Sequence, residues 1–421
     1  MQQDHPFSGA LWGLLVLLAF SLFINYVDRG NLSIAAPLLQ TELGISPARL
    51  GMLLSAFFWT YSICLLLSGY LADHFEVKWV LAAGFFLWSA ATCVTGLLHG
   101  FIPLFIARLL LGAGESTAYP SYSRILARYF PERRRGLANA VIASGKSFGP
   151  ALGTLIGARL MGKFGWRPFF IVLGLASFLW LVPFLNWMPR ESRALNPEDR
   201  SAPGMLEILE QRSLWGTCGG LFGLNYLSYF LITWLPYYLV HERHFSFDKM
   251  GQTIGIAYVL MALAAPASGW IEDHLIARGN TPNLVRKTAM ALGQGAAGIF
   301  LAACVVADPR LSVLFLFLAA ASFGVCDSNT WAITQTLAGP HASGKWTGFQ
   351  NFFGNLAGIA APAIAGFIVY KTGNFFWAFA LTGIVAVLGA LCWALAVGPL
   401  RQVDWKPQIP AAVLPEPQKF S

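Results

Sequence analysis

Twelve stretches of about 20 or more mainly apolar residues follow one another along this chain of 421 residues. A helix of that length crosses the roughly 30 Å of hydrocarbon in a lipid bilayer. Only 11% of the residues are charged, whereas a soluble domain carries about 25%. The sequence therefore predicts an all-α integral membrane protein. Its twelve transmembrane helices are expected at residues 11–39, 49–72, 78–98, 101–127, 137–162, 167–188, 213–240, 249–272, 286–306, 311–335, 346–371 and 375–397.

One connection in this pattern is long and polar, and it separates six predicted helices from six. We therefore predict an N-terminal six-helix bundle over residues 1–188, a linker over residues 189–212 and a C-terminal six-helix bundle over residues 213–399. The remainder, residues 400–421, is rich in proline and is predicted to be a disordered tail.

Basic residues are distributed unevenly between the two sets of loops. Of the 28 Lys and Arg residues, 17 lie on one side, eight on the other, and three (Arg29, Arg108 and Lys146) within predicted helices. Because cytoplasmic loops carry the excess of basic residues, we predict a protein of the inner membrane with both termini in the cytoplasm. These loops account for the net charge of +8, so nucleic acid is not predicted as a partner. The six cysteines lie in apolar runs without metal-ligand spacing, which predicts neither disulfides nor a metal site.

Sequence patterns recur between the two halves. Residues 69–74 read GYLADH after the second predicted helix, and residues 269–274 read GWIEDH after the eighth. The fifth and eleventh helices carry matching glycine pairs, Gly145 with Gly149 and Gly354 with Gly358. Two parallel repeats of six helices are typical of transporters whose substrate site lies between the halves near the middle of the membrane.

Several motifs resemble those of a known family. Residues 69–78 (GYLADHFEVK) resemble the loop signature of the major facilitator superfamily, although Glu76 and Val77 replace its usual glycine and first basic residue. More specific motifs resemble the anion:cation symporter family, which includes bacterial sugar-acid permeases and is similar to vesicular glutamate transporters and sialin. These motifs are NYVDRGNL (25–32), RLLLGAGE (108–115), RYFPER (128–133) and FGNLAG (353–358). The resemblance implies the major facilitator fold, with two pseudo-symmetric six-helix bundles.

Ionisable side chains at membrane depth are the main candidates for function. An ionised side chain at the centre of a spanning helix costs roughly 2.5–3.5 kcal/mol on insertion scales, so these groups should face a polar interior. Neighbours on a helix point about 100° apart, and residues two turns apart share a face. Asp28 and Arg29 can therefore meet different partners, while Arg108 and Glu115 lie on one face. The alternative is that the charges pair only to hold helices together.

The resemblance assigns roles to these charges. It implies that Asp28 and Glu115 are the protonatable pair, that Arg108 pairs with these acids and tunes them, and that Arg29 meets the substrate carboxylate. For Arg108, a scaffold ion pair is the alternative. The coupling ion would then be the proton, and no cofactor is implied.

Neutral polar side chains are also implied to contact the substrate. They are Tyr61, Ser328, Thr330, Trp331 and Asn351, and further side chains that could line the cavity are Asn25, Tyr229, Asp327 and Asn355. Interhelical hydrogen bonding, worth about 0.6–2 kcal/mol, is the alternative for Ser328, Thr330 and Asn351. Trp331 could equally be an ordinary core aromatic.

Lys146 and Asp327 depart from the pattern of the family's galactonate permeases. Either Asp327 neutralises Lys146 across the cavity, or Lys146 is a second cation for the substrate beside Arg29. Two separated cations would favour an anion with acceptors at both ends. At the cytoplasmic face, Asp73 and Asp273 end the second and eighth helices, and each could pair with an arginine there as part of a gate. The alternative for both is a helix-end charge worth under about 1 kcal/mol.

These observations predict a monomeric secondary transporter that imports a small organic anion by proton symport with alternating access. The expected substrate is a sugar acid, such as an aldonate, hexuronate or aldarate, or a hydroxy-dicarboxylate. An anion exchanger or uniporter is the alternative within this class. A membrane enzyme or a receptor is the alternative outside it, but all seven histidines lie in loops or at helix ends, no nucleophile motif is present, and no signalling domain is evident.

Overall fold

A computed structural model describes residues 9–130, 132–188, 203–306 and 308–405 of the chain. These residues are mainly helical. The helices are α1 (Gly9–Leu43), α2 (Pro47–His74), α3 (Val77–Thr95), α4 (Phe101–Glu115), α5 (Ala118–Tyr129), α6 (Glu132–Phe164), α7 (Trp166–Phe178), α8 (Leu181–Trp187), α9 (Met205–Leu209), α10 (Arg212–His241), α11 (Phe247–Ala277), α12 (Pro282–Ala303), α13 (Pro309–Gly324), α14 (Asp327–Thr372) and α15 (Phe376–Leu391). A short π-helix, Cys392–Ala396, continues α15.

The helices make twelve membrane crossings, as predicted. Ten crossings are long and apolar enough to span a bilayer. In three of these, two helices follow each other: α4 with α5, α7 with α8, and α13 with the first part of α14. The remaining two crossings are α6, which carries Lys146, Arg159 and Lys163, and α12, which carries Arg286 and Lys287. Their charges make them more polar than the other ten.

The fourth and tenth crossings are each interrupted near the middle of their own length. The sequence predicted one continuous helix in each place, but α4 ends at Glu115 before α5 begins at Ala118, and α13 ends at Gly324 before α14 begins at Asp327. At the first break the Ser116 and Thr117 hydroxyls bond carbonyls one turn back, at 2.7 and 2.9 Å. Such bonds compete with the regular helix ladder. Glu115 therefore lies at a helix end inside the bundle.

α14 makes two crossings because it contains a sharp kink. Gly339 has a φ of 67° and a ψ of 178°, backbone angles that glycine adopts without the steric cost of a Cβ. The kink separates a crossing that ends at Gly339 from one that begins at Gly344. The sequence predicted a connection between residues 335 and 346, and the break at Gly339 lies within it, although helical structure continues closer to the break than predicted.

The segments outside the bundles are partly described. The predicted linker, residues 189–212, contains α9, and its first part, residues 189–202, lies outside the described ranges. Beyond residue 400, where the sequence predicted disorder, residues 401–405 pack on the kink of α14. The Val403 amide and the Trp405 indole donate to carbonyls just before the kink, at 2.9 and 3.0 Å. Carbonyls at the end of a helical segment need donors from outside that segment.

The buried apolar side chains form three clusters. The first spans both halves and includes Leu39 and Leu53 with Trp234 and Phe375. The buried members of the second come from the N-terminal half alone, and those of the third come from the C-terminal half and from Ile208 on α9. The halves therefore share a core at one end of the molecule, which we call the closed end, and have separate cores toward the other.

Direct contacts hold the closed end together. α2 and α14 approach so closely that a Cβ at Gly51 would lie 2.5 Å from the Pro362 carbonyl oxygen, and one at Gly366 would lie 2.6 Å from the Pro47 carbonyl oxygen. Small residues at helix interfaces permit such backbone contact. Tyr237 of α10 donates a hydrogen bond to Gln40 of α1. The closed end thus combines a backbone contact with a polar one.

Candidate functional site

A buried ion pair lies in the N-terminal half. Arg29 on α1 donates from Nε to Oε2 of Glu115, at the end of α4, over 2.9 Å. The two side chains are only 5% and 0% exposed. Burying two charges is costly unless their geometry is good, and leaving either one alone costs more. The break after α4 places the carboxylate where α1 can reach it.

Aromatic rings surround the Arg29 guanidinium. Its carbon Cζ lies 4.8 Å from the ring centroid of Tyr26, 5.1 Å from that of Phe57 and 4.5 Å from that of Tyr61. A cation over an aromatic face gains about 2 kcal/mol or more when desolvated. Nη2 of Arg29 is buried and has no hydrogen-bond partner in the structure. The guanidinium is therefore held in place while one of its donor groups is left unused.

Asp28 takes no part in the Arg29–Glu115 ion pair and lies close to Thr92 on α3, in agreement with the helical offset between Asp28 and Arg29. Its carboxylate is buried, and neither oxygen has a hydrogen-bond partner in the structure. Thr92 on α3 and Asn31 lie close to it, and Glu115 and Arg108 act on it electrostatically. Asp28 and Glu115 thus belong to one charged cluster but face different helices. Asn25 is also buried, lies close to Glu115, and has unpartnered amide atoms.

Among the described residues, Arg108 forms no ion pair with Asp28 or Glu115. Its side chain is buried, its Cζ lies 5.3 Å from the ring centroid of Phe57, and its Nε has no hydrogen-bond partner. Arg108 acts electrostatically on both acids, but among the described residues the buried ion pair joins Glu115 to Arg29 instead. The predicted pairing of Arg108 with the acids is therefore a through-space interaction here.

The C-terminal half meets this cluster with neutral polar groups. The Tyr229 hydroxyl on α10 donates to Oδ1 of Asn355 at 2.6 Å, and Nδ2 of Asn355 donates to the Asn351 carbonyl at 2.8 Å. The Tyr229 ring lies 4.3 Å from the Phe58 ring of α2, centroid to centroid. Three predicted residues are thus brought together at the boundary between the halves.

The described side chains of the predicted cluster on the tenth crossing contact protein neighbours. The Thr330 hydroxyl donates to the Cys326 carbonyl of its own helix at 3.0 Å. Trp331 is half-buried against the core of the C-terminal half. Asn329, between Ser328 and Thr330, donates to Glu272 of α11 at 2.6 Å. The side chain of Ser328 lies outside the described part of the structure.

The remaining predicted residues keep the alternative interpretations that follow from the sequence. Lys146 is half-buried on α6, but the side chain of Asp327 lies outside the described part, so both interpretations of Lys146 stand. The side chains of Asp73 and Asp273, the predicted gate, also lie outside it. Among the described residues, His, Cys, Asp and Glu side chains form no group of three that would hold a metal ion.

Glu272 is a buried acid that the sequence analysis did not identify. It is 7% exposed, and it accepts hydrogen bonds from Ser268 and Asn329. A signal was present in the repeat, because residues 269–274 carry an acid where residues 69–74 carry Ala72. An acid that replaces alanine inside a spanning helix is expected to have a specific role.

Comparison with known proteins identifies the family. The family model of the Major Facilitator Superfamily matches residues 18–362 and again residues 283–415. A crystal structure of a bacterial homolog to the human lysosomal transporter Spinster, inward-facing and unoccupied, superposes with a TM-score of 0.77. It covers 93% of this chain and 98% of that one at 17% sequence identity, and so supports the fold.

Curated relatives match over nearly their full length. The hexuronate transporter of Bacillus subtilis (strain 168) is 30% identical over 92% of this chain and 94% of its own. The "Probable galactarate/D-glucarate transporter" of Escherichia coli (strain K12) is 30% identical over 95% and 96%. The D-galactonate transporter of Escherichia coli O6:H1 is 28% identical over 92% and 96%. Together, the family model, the relatives and the twelve-crossing fold establish that this chain belongs to the Major Facilitator Superfamily and is a multi-pass membrane transporter, not an enzyme.

Proposed function

We propose that this protein imports a small sugar acid together with protons. The observation that carries the proposal is the buried Arg29–Glu115 pair, in which Nη2 of Arg29 has no partner and Asp28 lies beside the pair without one. A guanidinium binds carboxylates through two parallel hydrogen bonds. Glu115 and a substrate carboxylate would therefore compete for the same cation.

This competition provides a way to couple the two fluxes. A proton on Glu115 removes the charge that holds Arg29, and the guanidinium is then available to a substrate carboxylate. Asp28 provides a second proton site in the same cluster, and Arg108 supplies a fixed positive charge. Release of the protons on the other side of the membrane restores the ion pair and expels the anion. Alternating exposure of the cluster would come from the two halves rocking about it.

The direction of opening follows from the basic loops. With those loops in the cytoplasm, both termini are cytoplasmic and the closed end faces away from the cytoplasm. The structure then corresponds to an inward-facing state. For a monomer in the inner membrane with an inward proton gradient, this arrangement supports import.

The relatives support the substrate class. Their names specify hexuronates, galactarate, D-glucarate and D-galactonate, all of which combine a carboxylate with several hydroxyls. Arg29 would take the carboxylate. Tyr61, Tyr229, Asn351 and Asn355, with Ser328, Thr330 and Trp331 on the tenth crossing, would supply contacts to the hydroxyls and the carbon chain. Anion exchange or uniport on the same site is the competing mechanism.

Uptake by purified protein in liposomes tests the proposal. Labelled D-glucuronate, D-galactonate and D-glucarate are offered with and without an inward proton gradient. We expect at least one of them to accumulate above its external concentration, and only when the gradient is present. Equilibration without accumulation under both conditions would favour uniport. Uptake that depends on preloaded anion and ignores the gradient would favour exchange.

A further inference from the structure

Among the described residues, no group donates a hydrogen bond to Oε2, one of the two carboxylate oxygens of Glu272. The Ser268 hydroxyl and the Asn329 amide both donate to Oε1, each at 2.6 Å. Neither bond involves Oε2. Among the described residues Glu272 has no ion-pair partner, although it is more than nine-tenths buried. A buried carboxylate that lacks a cation is costly unless something else supplies the positive charge.

This carboxylate lines a large cavity between α11, α12 and α13. The cavity has a volume of about 800 Å³, and its polar lining includes Glu272, Asn280 and Thr288. Leu284 and Leu292 of α12 also line it, and these side chains are 58% and 67% exposed. The cavity therefore opens on the outer surface of the bundle, which faces lipid rather than the boundary between the halves.

The depth of Glu272 places it where lipid head groups begin. α11 has 31 residues, a length of about 46 Å, which exceeds the roughly 30 Å of hydrocarbon. Glu272 precedes the end of α11 at Ala277 by five residues, or about 7.5 Å along the axis. The apolar lining continues from there toward the membrane centre, to Ala264 on α11 and Ala296 on α12.

The internal repeat shows that the fold does not require this acid. Ser268 corresponds to Ser68, and Glu272 corresponds to Ala72. Ser68 bonds Ser116 at the break of the fourth crossing, at 2.8 Å. In the C-terminal half the link between the equivalent crossings runs through Glu272 to Asn329. Alanine therefore suffices at this position in the other half.

We propose that the cavity binds a membrane phospholipid whose head group carries a primary ammonium. The ammonium donates to Oε2 of Glu272, and one acyl chain lies along the apolar wall between α11 and α12. The unpaired carboxylate selects a cation with N–H donors, and the exposed leucines admit an occupant only from the bilayer. An anionic substrate would be repelled by the same carboxylate. This site is separate from the Arg29–Glu115 cluster and does not depend on the transport mechanism.

Lipid binding to the wild-type protein provides the first test. Purified protein in non-ionic detergent is titrated with phosphatidylethanolamine and with its mono-, di- and trimethylated head-group analogues, all with the same acyl chains, and bound lipid is counted by native mass spectrometry. Each methyl group removes one N–H donor. We expect affinity to fall along the series, by on the order of tenfold at the trimethyl end, as for loss of a charge-assisted hydrogen bond. Equal affinity for all four head groups would overturn the proposal.

Two variants locate the selectivity. Glu272→Gln keeps the shape and removes the charge, and Glu272→Ala restores the residue of the other half. Both should bind the four lipids about equally. Asp248→Asn, which removes an exposed acid from the opposite end of α11, is the matched control and should keep the wild-type order. If Glu272→Gln kept the wild-type order of lipid affinities, Glu272 would not be the lipid ligand. This conclusion would hold even if the variant also lost gradient-driven transport.

Discussion

The two halves of the transporter share a scaffold but differ in how their buried polar groups are satisfied. In the N-terminal half the fourth crossing breaks at Glu115, and in the C-terminal half the tenth breaks at Gly324. Among the described residues, the side-chain atoms that are fully enclosed and lack a hydrogen-bond partner all belong to the N-terminal half, and Asp28, Arg29, Arg108 and Glu115 contribute to them. Oε2 of Glu272 is not among these atoms, because Glu272 lines a cavity. Glu115 at the first break therefore belongs to a group of buried charges, and Gly324 stands at the corresponding helix end of the second break.

Buried polar groups of the C-terminal half are bonded to one another. Gln294 donates to the carbonyls of Gly220 and Ala386 and accepts from the Trp393 indole. Gln350 accepts from Thr334 at 2.7 Å. An unsatisfied buried polar group costs about 1–3 kcal/mol, and a charged one costs more. The comparison shows that the N-terminal half contains buried charges whose hydrogen bonding is incomplete, whereas these neutral polar groups of the C-terminal half are bonded within the protein.

Removal of Arg29, the cation of the buried ion pair in the N-terminal half, should have the largest effect on stability and transport. Arg29→Gln leaves Glu115 buried without its partner, which should destabilise the protein by about 3–5 kcal/mol and abolish transport. Thermal unfolding and uptake into liposomes measure the two effects. Arg310→Gln, which removes an exposed arginine at the start of α13, is the control. Wild-type uptake by Arg29→Gln would contradict the role of Arg29.

A change at Lys146 distinguishes substrate contact from a structural pair. If Lys146 binds substrate, Lys146→Gln should weaken affinity by on the order of 2–3 kcal/mol, as for a charge-assisted contact, or move preference toward monoanions. Competition of galacturonate and galactarate for uptake measures both. Recovery of wild-type affinity and selectivity in the double variant with Asp327→Asn would make the pair structural.

A neutral contact of the C-terminal half should matter less and leave coupling intact. Tyr229→Phe removes the donor to Asn355 and should reduce substrate affinity by about 1 kcal/mol. The ratio of protons to substrate should not change, because no charge is lost. Parallel measurement of pH change and labelled uptake checks this. An altered ratio would show that coupling extends into the C-terminal half.

The smallest effect is expected at the closed end. Arg159 on α6 and Asp248 on α11 form an exposed pair across the halves at 3.2 Å, and such pairs contribute up to about 1 kcal/mol. Arg159→Gln should shift the population slightly toward opening at that end, seen as faster labelling of a cysteine engineered nearby. The shift should vanish in high salt, because salt screens exposed charges. A shift of the same size in high salt would rule out the ion pair as its source.

The sequence predicts the crossings better than the contacts within them. Each membrane crossing must match the thickness and the apolar character of the bilayer through its own length and composition. Twelve helices in two halves could therefore be deduced from local sequence pattern alone. Helical geometry also separated Asp28 from Arg29. The break at Glu115 was not predictable, because apolar composition continues through it and the interruption depends on hydroxyl groups and packing. The partner of Glu115 depends on which of two nearby arginines the fold brings into reach.

Gradient-driven accumulation by Glu115→Gln is the most direct test of the central claim, that the acids around Arg29 couple substrate to protons. The amide keeps the shape of the side chain but cannot release a proton in the working pH range. Wild-type protein and the variant are reconstituted in liposomes and compared for uptake under an inward proton gradient and for exchange of internal with external substrate. We predict that the variant exchanges substrate but does not accumulate it. Undiminished accumulation by Glu115→Gln under the gradient would contradict the proposed mechanism.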